Sequence, residues 1–168
     1  MDGSNFSSPS SPFSHPFVSL YTDGSSLGNP GAGGWCAILE WNGGGKILKG
    51  GEPLTTNNRM ELRGVLEGLK EIQKLIKEGI ISPSTPIYLY SDSQYVIKGI
   101  GEWLPNWVKR GFKNVKNPDL WREYLRLSHR LNIYPHWVKG HDGNPKNEMC
   151  DFYARQEASR FQQKMGSR

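Results

Sequence analysis

Two aspartates directly follow apolar runs: Asp23 comes after FVSLY (17–21) and Asp92 after IYLYS (87–91). Glu61 falls in the first turn of a helically spaced segment, and Asp151 lies near the start of another. Each has an ordinary explanation as a solvated acid or as a charge that favours a helix N-terminus. That explanation suits Glu61 and Asp151. It suits Asp23 and Asp92 less well, because each lies between an apolar strand and a polar turn. If those two strands are parallel neighbours, both aspartates sit at the carboxyl edge of one sheet, where ligand sites of open α/β sheets gather. Converging carboxylates repel, and at least one takes up a proton at neutral pH. Divalent cations remove that penalty, and an all-oxygen donor set suits Mg²⁺ or Mn²⁺ better than zinc. Two such ions about 4 Å apart activate a water and stabilise a leaving oxygen in phosphodiester cleavage.

The elements that must position these acids follow from periodicity. Residues 17–21 form a short apolar strand. Residues 34–41 and 45–50 flank Asn42-Gly43, a strong hairpin signal. Residues 58–78 carry Leu62, Val65, Leu66, Leu69, Ile72, Leu75 and Ile76 at helical spacing, with Gly79, Pro83 and Pro86 closing the helix. Residues 87–90 form a near-continuous apolar strand, expected to be buried on both faces. Short helices are expected over 93–100 and 102–108, and a longer one over 117–131 with Pro118 in its first turn. A last strand covers 133–138 and a terminal helix 147–162. The order β-β-β-α-β-α-α-α-β-α describes a mixed α/β domain: a hairpin sheet extended by parallel strands and flanked by helices.

The chain has 168 residues, 36% hydrophobic and 22% charged, which fits one globular domain. No apolar run approaches the roughly 18 residues of a membrane span. The two cysteines, Cys36 and Cys150, make neither a disulfide framework nor a CxxC metal pair, and read as reduced thiols of a cytoplasmic protein. A net charge of +5 is compatible with a polyanionic partner and does not establish one. Residues 1–16 are rich in Ser, Pro and Phe without Lys or Arg, so they read as a disordered tail and not as a secretory or transit segment. The domain is expected over 17–162, with a frayed tail over 163–168. The glycine-rich stretch 24–34 lacks the Gly-Lys-Ser/Thr of a P-loop, and 142–153 lacks the Gly and the Glu of a calcium loop.

Four motifs stand in order: YTDGSSLGNPG (21–31), TNNRMEL (56–62), SDSQYV (91–96) and HWVKGHDGNPKNEMCD (136–151). Together they resemble the type 1 ribonuclease H family over about residues 17–158. The resemblance implies a ribonuclease H-like fold with a five-stranded mixed sheet, three antiparallel strands followed by two parallel ones. It implies a two-metal site whose four carboxylates match Asp23, Glu61, Asp92 and Asp151. It matches His141 to a mobile-loop histidine that aids product release, and Gly140 and Gly143 suit such a loop. Asn29, Asn57 and Gln94 match positions facing the minor groove and the RNA strand, where amides exchange hydrogen bonds with a 2′-OH. Asn58 joins that surface. Thr56 matches a position that grips a DNA phosphate.

Between Glu102 and Asp119 there is no acid. Lys109, Arg110, Lys113 and Lys116 alternate there with Trp103, Trp107 and Phe112, and Trp121 follows. Cations contact phosphates and flat rings pack on sugars or bases. The run resembles the family's basic handle, with Trp103 touching the DNA strand while Trp107 and Trp121 pack the handle itself. The segment between Gly111 and Trp121 is shorter than the longest handles, and Val108 stands where a basic residue is common.

These features together imply an endoribonuclease that cuts the RNA strand of RNA/DNA hybrids with two Mg²⁺ ions, Mn²⁺ being a substitute. It would leave 5′-phosphate and 3′-hydroxyl ends and work as a monomer without an obligate protein partner or a membrane. The alternatives are a hybrid-binding module without catalysis, and another two-metal nuclease of this fold, integrase-like or junction-cutting.

Overall fold

The computed structural model describes residues 16–139 and 144–166, with side chains to residue 164. What is expected of residues 1–15, of Gly140, His141 and Gly143, and of 167–168 lies outside the described residues.

Strands β1 (Val18–Ser26), β2 (Gly31–Trp41) and β3 (Gly44–Thr55) form an antiparallel meander. Asn42 and Gly43 alone connect β2 to β3, and Gly43 takes φ 102, which a side chain would strain. Helix α1 (Asn57–Lys77) crosses over to β4 (Pro86–Ser91), which lies parallel to β1. Helices α2 (Gln94–Lys98), α3 (Leu104–Lys109) and α4 (Pro118–Ser128) follow, with a π-helical turn, Gly99–Trp103, between the first two. Strand β5 (Asn132–Trp137) pairs parallel with β4, and α5 (Pro145–Gly166) ends the chain. The sheet order is β3-β2-β1-β4-β5, the expected mixed five-stranded sheet. No helix among the described residues is long and apolar enough to cross a membrane.

The main core lies on one side of the sheet. Val18, Leu20, Ala37, Leu39, Ile87 and Leu89 of the strands meet Leu62, Val65, Leu66 and Leu69 of α1, and all are at most 1% exposed. Burying such side chains stabilises by roughly 2 kcal/mol each. On the other side α5 packs on β1, β2 and β3, with Cys36, Ile38, Cys150 and Ala154 between them.

Several expectations are corrected. β1 continues through Asp23 to Ser26, because the polar residues TDGSS pair with Cys36 to Gly33 of β2. Asp23 is therefore inside the strand. Glu61 is the fifth residue of α1 and so belongs to its second turn. β4 is buried on one face only: Ile87, Leu89 and Ser91 point inward while Tyr88 and Tyr90 are half-buried on the face that α5 shares with β1–β3. α5 runs to Gly166, beyond the helix end expected at 162. Arg160 and Lys164 lie over the Phe161 ring at 4.8 and 5.0 Å, which ties this last stretch together.

Candidate active site

The parallel pairing of β1 and β4 sets the first two acids. Tyr21 and Tyr90 are register partners, and Asp23 and Asp92 each lie two residues further on, at the same carboxyl edge. Glu61 is delivered by a close approach of α1 to β1. A Cβ on Gly24 would run into the backbone of Met60 and Glu61, so the contact depends on the bare glycine. The helix enters at a fixed point because Thr56 caps it, its Oγ1 accepting from Arg59 N–H at 3.3 Å.

The result is a group of three carboxylates from three elements. Ligand oxygens of Asp23, Glu61 and Asp92 all lie within 4.8 Å of one another. Gly24 N–H donates both to Asp23 Oδ1 and to Glu61 Oε1, each at 2.8 Å. Asp23 and Glu61 are 5% and 7% exposed, while Asp92 faces solvent. Burial, then the Asp92 charge, pushes the Asp23 carboxyl up to about 7. Burial, then the Asp23 charge, holds Glu61 well above the usual carboxylate range. Two buried acids that resist ionisation beside a third are a poor arrangement for a bare protein and a good one for a bound cation. With oxygen donors only, the set fits Mg²⁺ or Mn²⁺.

Asp151 stands outside this group. Its Oδ2 accepts from Arg155 Nη2 at 2.8 Å, one helical turn along α5. Its charge is still near enough to help raise Asp23. An exposed i,i+4 pair of this kind is worth only about 0.3–0.5 kcal/mol, so a cation at the edge outweighs it easily.

Asn29, Asn57 and Gln94 are exposed and Asn58 is half-buried. Asn57 and Asn58 open α1, and Gln94 opens α2, whose cap is Ser93. Thr56 has an accepting role in its helix cap, which leaves its O–H to donate outward. In the handle, Lys109, Arg110, Lys113 and Lys116 are all exposed. Trp103 is 38% exposed, whereas Trp121 is fully buried, with Trp107 packed on it at 5.2 Å between ring centroids. Trp103 is the most exposed of the three, and its ring also contacts Trp107 at 5.7 Å.

Three features escaped the sequence reading. Trp137 Nε1–H donates to the Asp92 backbone carbonyl at 3.2 Å, just past the last ladder bond from Val138 N–H to Ser91. Its ring, with Gln94, Ile97, Lys98 and Glu102, lines a cavity of about 240 Å³. Asn117, in the left-handed conformation at φ 55, accepts from Arg59 Nη1 at 3.1 Å and donates to the Tyr95 hydroxyl at 3.0 Å. It therefore joins the start of α1 to the handle. Arg59 also grips both oxygens of Asp119, and that guanidinium holds the Asp119 carboxyl below its ordinary range. The signal for Asn117 was an Asn before a helix-opening Pro; Trp137 gave none beyond its place at the end of a strand.

Comparison with known proteins agrees with this geometry. The family model described as RNase H matches residues 15–159. A ribonuclease H of Sulfurovum sp. (strain NBC37-1) is 53% identical, covering 86% of this chain and 92% of the relative. A ribonuclease HI of Helicobacter pylori (strain ATCC 700392 / 26695) is 48% identical, covering 85% and 94%. Among solved structures, LC9-RNase H1, described as a type 1 RNase H with the type 2 active-site motif, superposes with a TM-score of 0.74. It is 30% identical, with 89% of this chain and 75% of that one covered. Matching in sequence along nearly the whole domain and in the order and direction of all five strands, the chain belongs to the type 1 ribonuclease H family.

Proposed function

We propose that the protein is an endoribonuclease that hydrolyses the RNA strand of RNA/DNA hybrids. The observation that carries this reading is the convergence of Asp23, Glu61 and Asp92 from β1, α1 and β4. Asp151 completes the set by leaving Arg155. When bound there, two Mg²⁺ ions, or Mn²⁺ in their place, supply the charge that ionises a water at neutral pH and receives the leaving 3′ oxygen. Asp23, Glu61, Asp92 and Asp151 hold that charge in place, and the burial of Asp23 and Glu61 keeps bulk water from screening it.

Asn29, Asn57, Asn58 and Gln94 hold the scissile RNA strand through its 2′-hydroxyls, which a DNA strand lacks. Thr56 donates to a phosphate of the DNA strand. Trp103, Lys109, Arg110, Lys113 and Lys116 bind the hybrid further along its backbone. These contacts read shape and backbone, so cleavage is largely indifferent to base sequence. His141, which the family resemblance places in product release, acts after the chemical step. The products carry a 5′-phosphate and a 3′-hydroxyl. The protein acts as a monomer in the cytoplasm.

The test is an end-labelled RNA/DNA hybrid incubated with protein and Mg²⁺, beside single-stranded RNA, double-stranded RNA and duplex DNA, with a chelator control. Metal-dependent cutting confined to the hybrid's RNA strand is the expected result. Binding without cutting, or cutting of DNA, would overturn the assignment.

A further inference from the structure

The outer face of the sheet carries an aromatic surface that the catalytic reading does not use. Tyr21 and Tyr90 stack at 5.0 Å, and Tyr90 stacks on His136 at 5.3 Å. Tyr88 contacts Tyr134 at 5.7 Å, and Phe17 meets Tyr88 edge-on at 5.4 Å. Five rings from three parallel strands, with Phe17 just before β1, thus form one continuous patch. α5 covers this side of the sheet over β1–β3. Beyond it the rings stay open: Phe17 is 49% exposed, Tyr134 51%, and His136 is exposed. Contiguous exposed rings of this kind mark an interaction surface.

We propose that this face is covered by the chain's own N-terminal segment, residues 1–15. Three observations favour that occupant. First, the segment joins the sheet at the patch, because Phe17 is itself one of the six rings. Second, its composition matches. It carries Phe6, Phe13, Pro9 and Pro12, with Pro16 at its junction. Proline-rich segments lose little entropy on docking and pack their rings on aromatic-lined surfaces. Third, charge favours the tail over the rivals: a nucleic acid or an anionic lipid surface needs cations, and Lys146, whose charge reaches Tyr21, is already paired with Glu40 at 2.9 Å. Residues 1–15 contain no Lys or Arg.

The reach is ample. Three strands span roughly 10 Å and two ring rows along a strand about 7 Å. Fifteen residues extend to about 50 Å, and the four steps from Phe17 to Phe13 to about 14 Å. A turn back at Pro16 leaves Phe13 enough chain to reach the Tyr90–His136 row.

The test uses the full chain and needs no catalytic readout, so it stands apart from the assigned activity. Phe13→p-benzoylphenylalanine is irradiated and the cross-links are mapped by mass spectrometry. Intrachain links to peptides carrying Tyr88, Tyr90 or Tyr134 are expected. In parallel, acetylation of Tyr134 by N-acetylimidazole is timed in the wild type and in a Phe6→Ser, Phe13→Ser variant. At least a threefold faster reaction in the variant is expected. Equal rates, links to other parts of the chain, absence of links, or links found only between two chains would overturn the proposal; the last would assign the face to a second copy.

Discussion

The acidic edge and the basic handle occupy the same domain and are built on opposite terms. At the edge, Asp23 and Glu61 are almost fully buried and are held by the bare backbone of Gly24. In the handle, four cations stand in open solvent on a frame packed by Trp107 and Trp121. Burial raises the energy of the edge and makes Asp23 and Glu61 hard to replace. Exposure makes each handle cation nearly interchangeable with its neighbours. The proposed chemistry is concentrated where desolvation is expensive, and the proposed binding is spread where it is cheap.

That contrast predicts a graded series. The largest effect is expected for Asp92→Asn, which removes a charge from the edge without disturbing the core. Cleavage should fall on the order of 10³-fold or more, while hybrid binding in a gel-shift or anisotropy titration stays near wild type. An Asp92→Asn protein with full activity would break the assignment. Replacing Lys109, Arg110, Lys113 and Lys116 together with alanine should weaken hybrid binding by roughly 10–100-fold. The slope of log affinity against log salt should become shallower by about 3, and kcat should hold. An unchanged salt slope would remove the handle from binding. His141→Ala is expected to lower multiple-turnover rates several-fold and leave a single-turnover burst intact, the pattern of slowed product release.

A smaller effect tests the edge by pH. Asp23 is raised from an ordinary carboxylate value to about 7, so the folded chain binds more protons than the unfolded one across that interval. Its contribution to stability is then full below about pH 4 and is lost as pH rises through about 7. In chelator, the melting temperature should decline over this window, and saturating Mg²⁺ should flatten the decline.

Local signals were legible in the sequence and non-local ones were not. The Asn42-Gly43 hairpin is set by two residues, and it forms where expected. The stripe on α1 places its buried face correctly because 3.6-residue spacing is a property of one segment. β1 was foreshortened because residues 22–26 look like a turn and become a strand only through pairing with β2. The tyrosines of β4 read as buried because the sequence does not say how far α5 reaches across the sheet. At the site, the residue types of all four acids were visible. The Asp151–Arg155 pair was not weighed, although its spacing of four on a helix makes it natural. The bond from Trp137 to the Asp92 carbonyl depends on where a parallel ladder stops, which no local pattern encodes.

On the proposed reading, the acidic edge is a cation site kept partly protonated until metal arrives. The most direct test is the proton release that accompanies Mg²⁺ binding, followed in weakly buffered solution near pH 6.5 with the intact protein. The account predicts release of about one proton per chain, because cations displace the protons that burial places on Asp23 and Glu61. The release should be smaller in Glu61→Gln, where burial still holds a proton on Asp23. Mg²⁺ binding with no proton release, or the same release from wild type and Glu61→Gln, would contradict it.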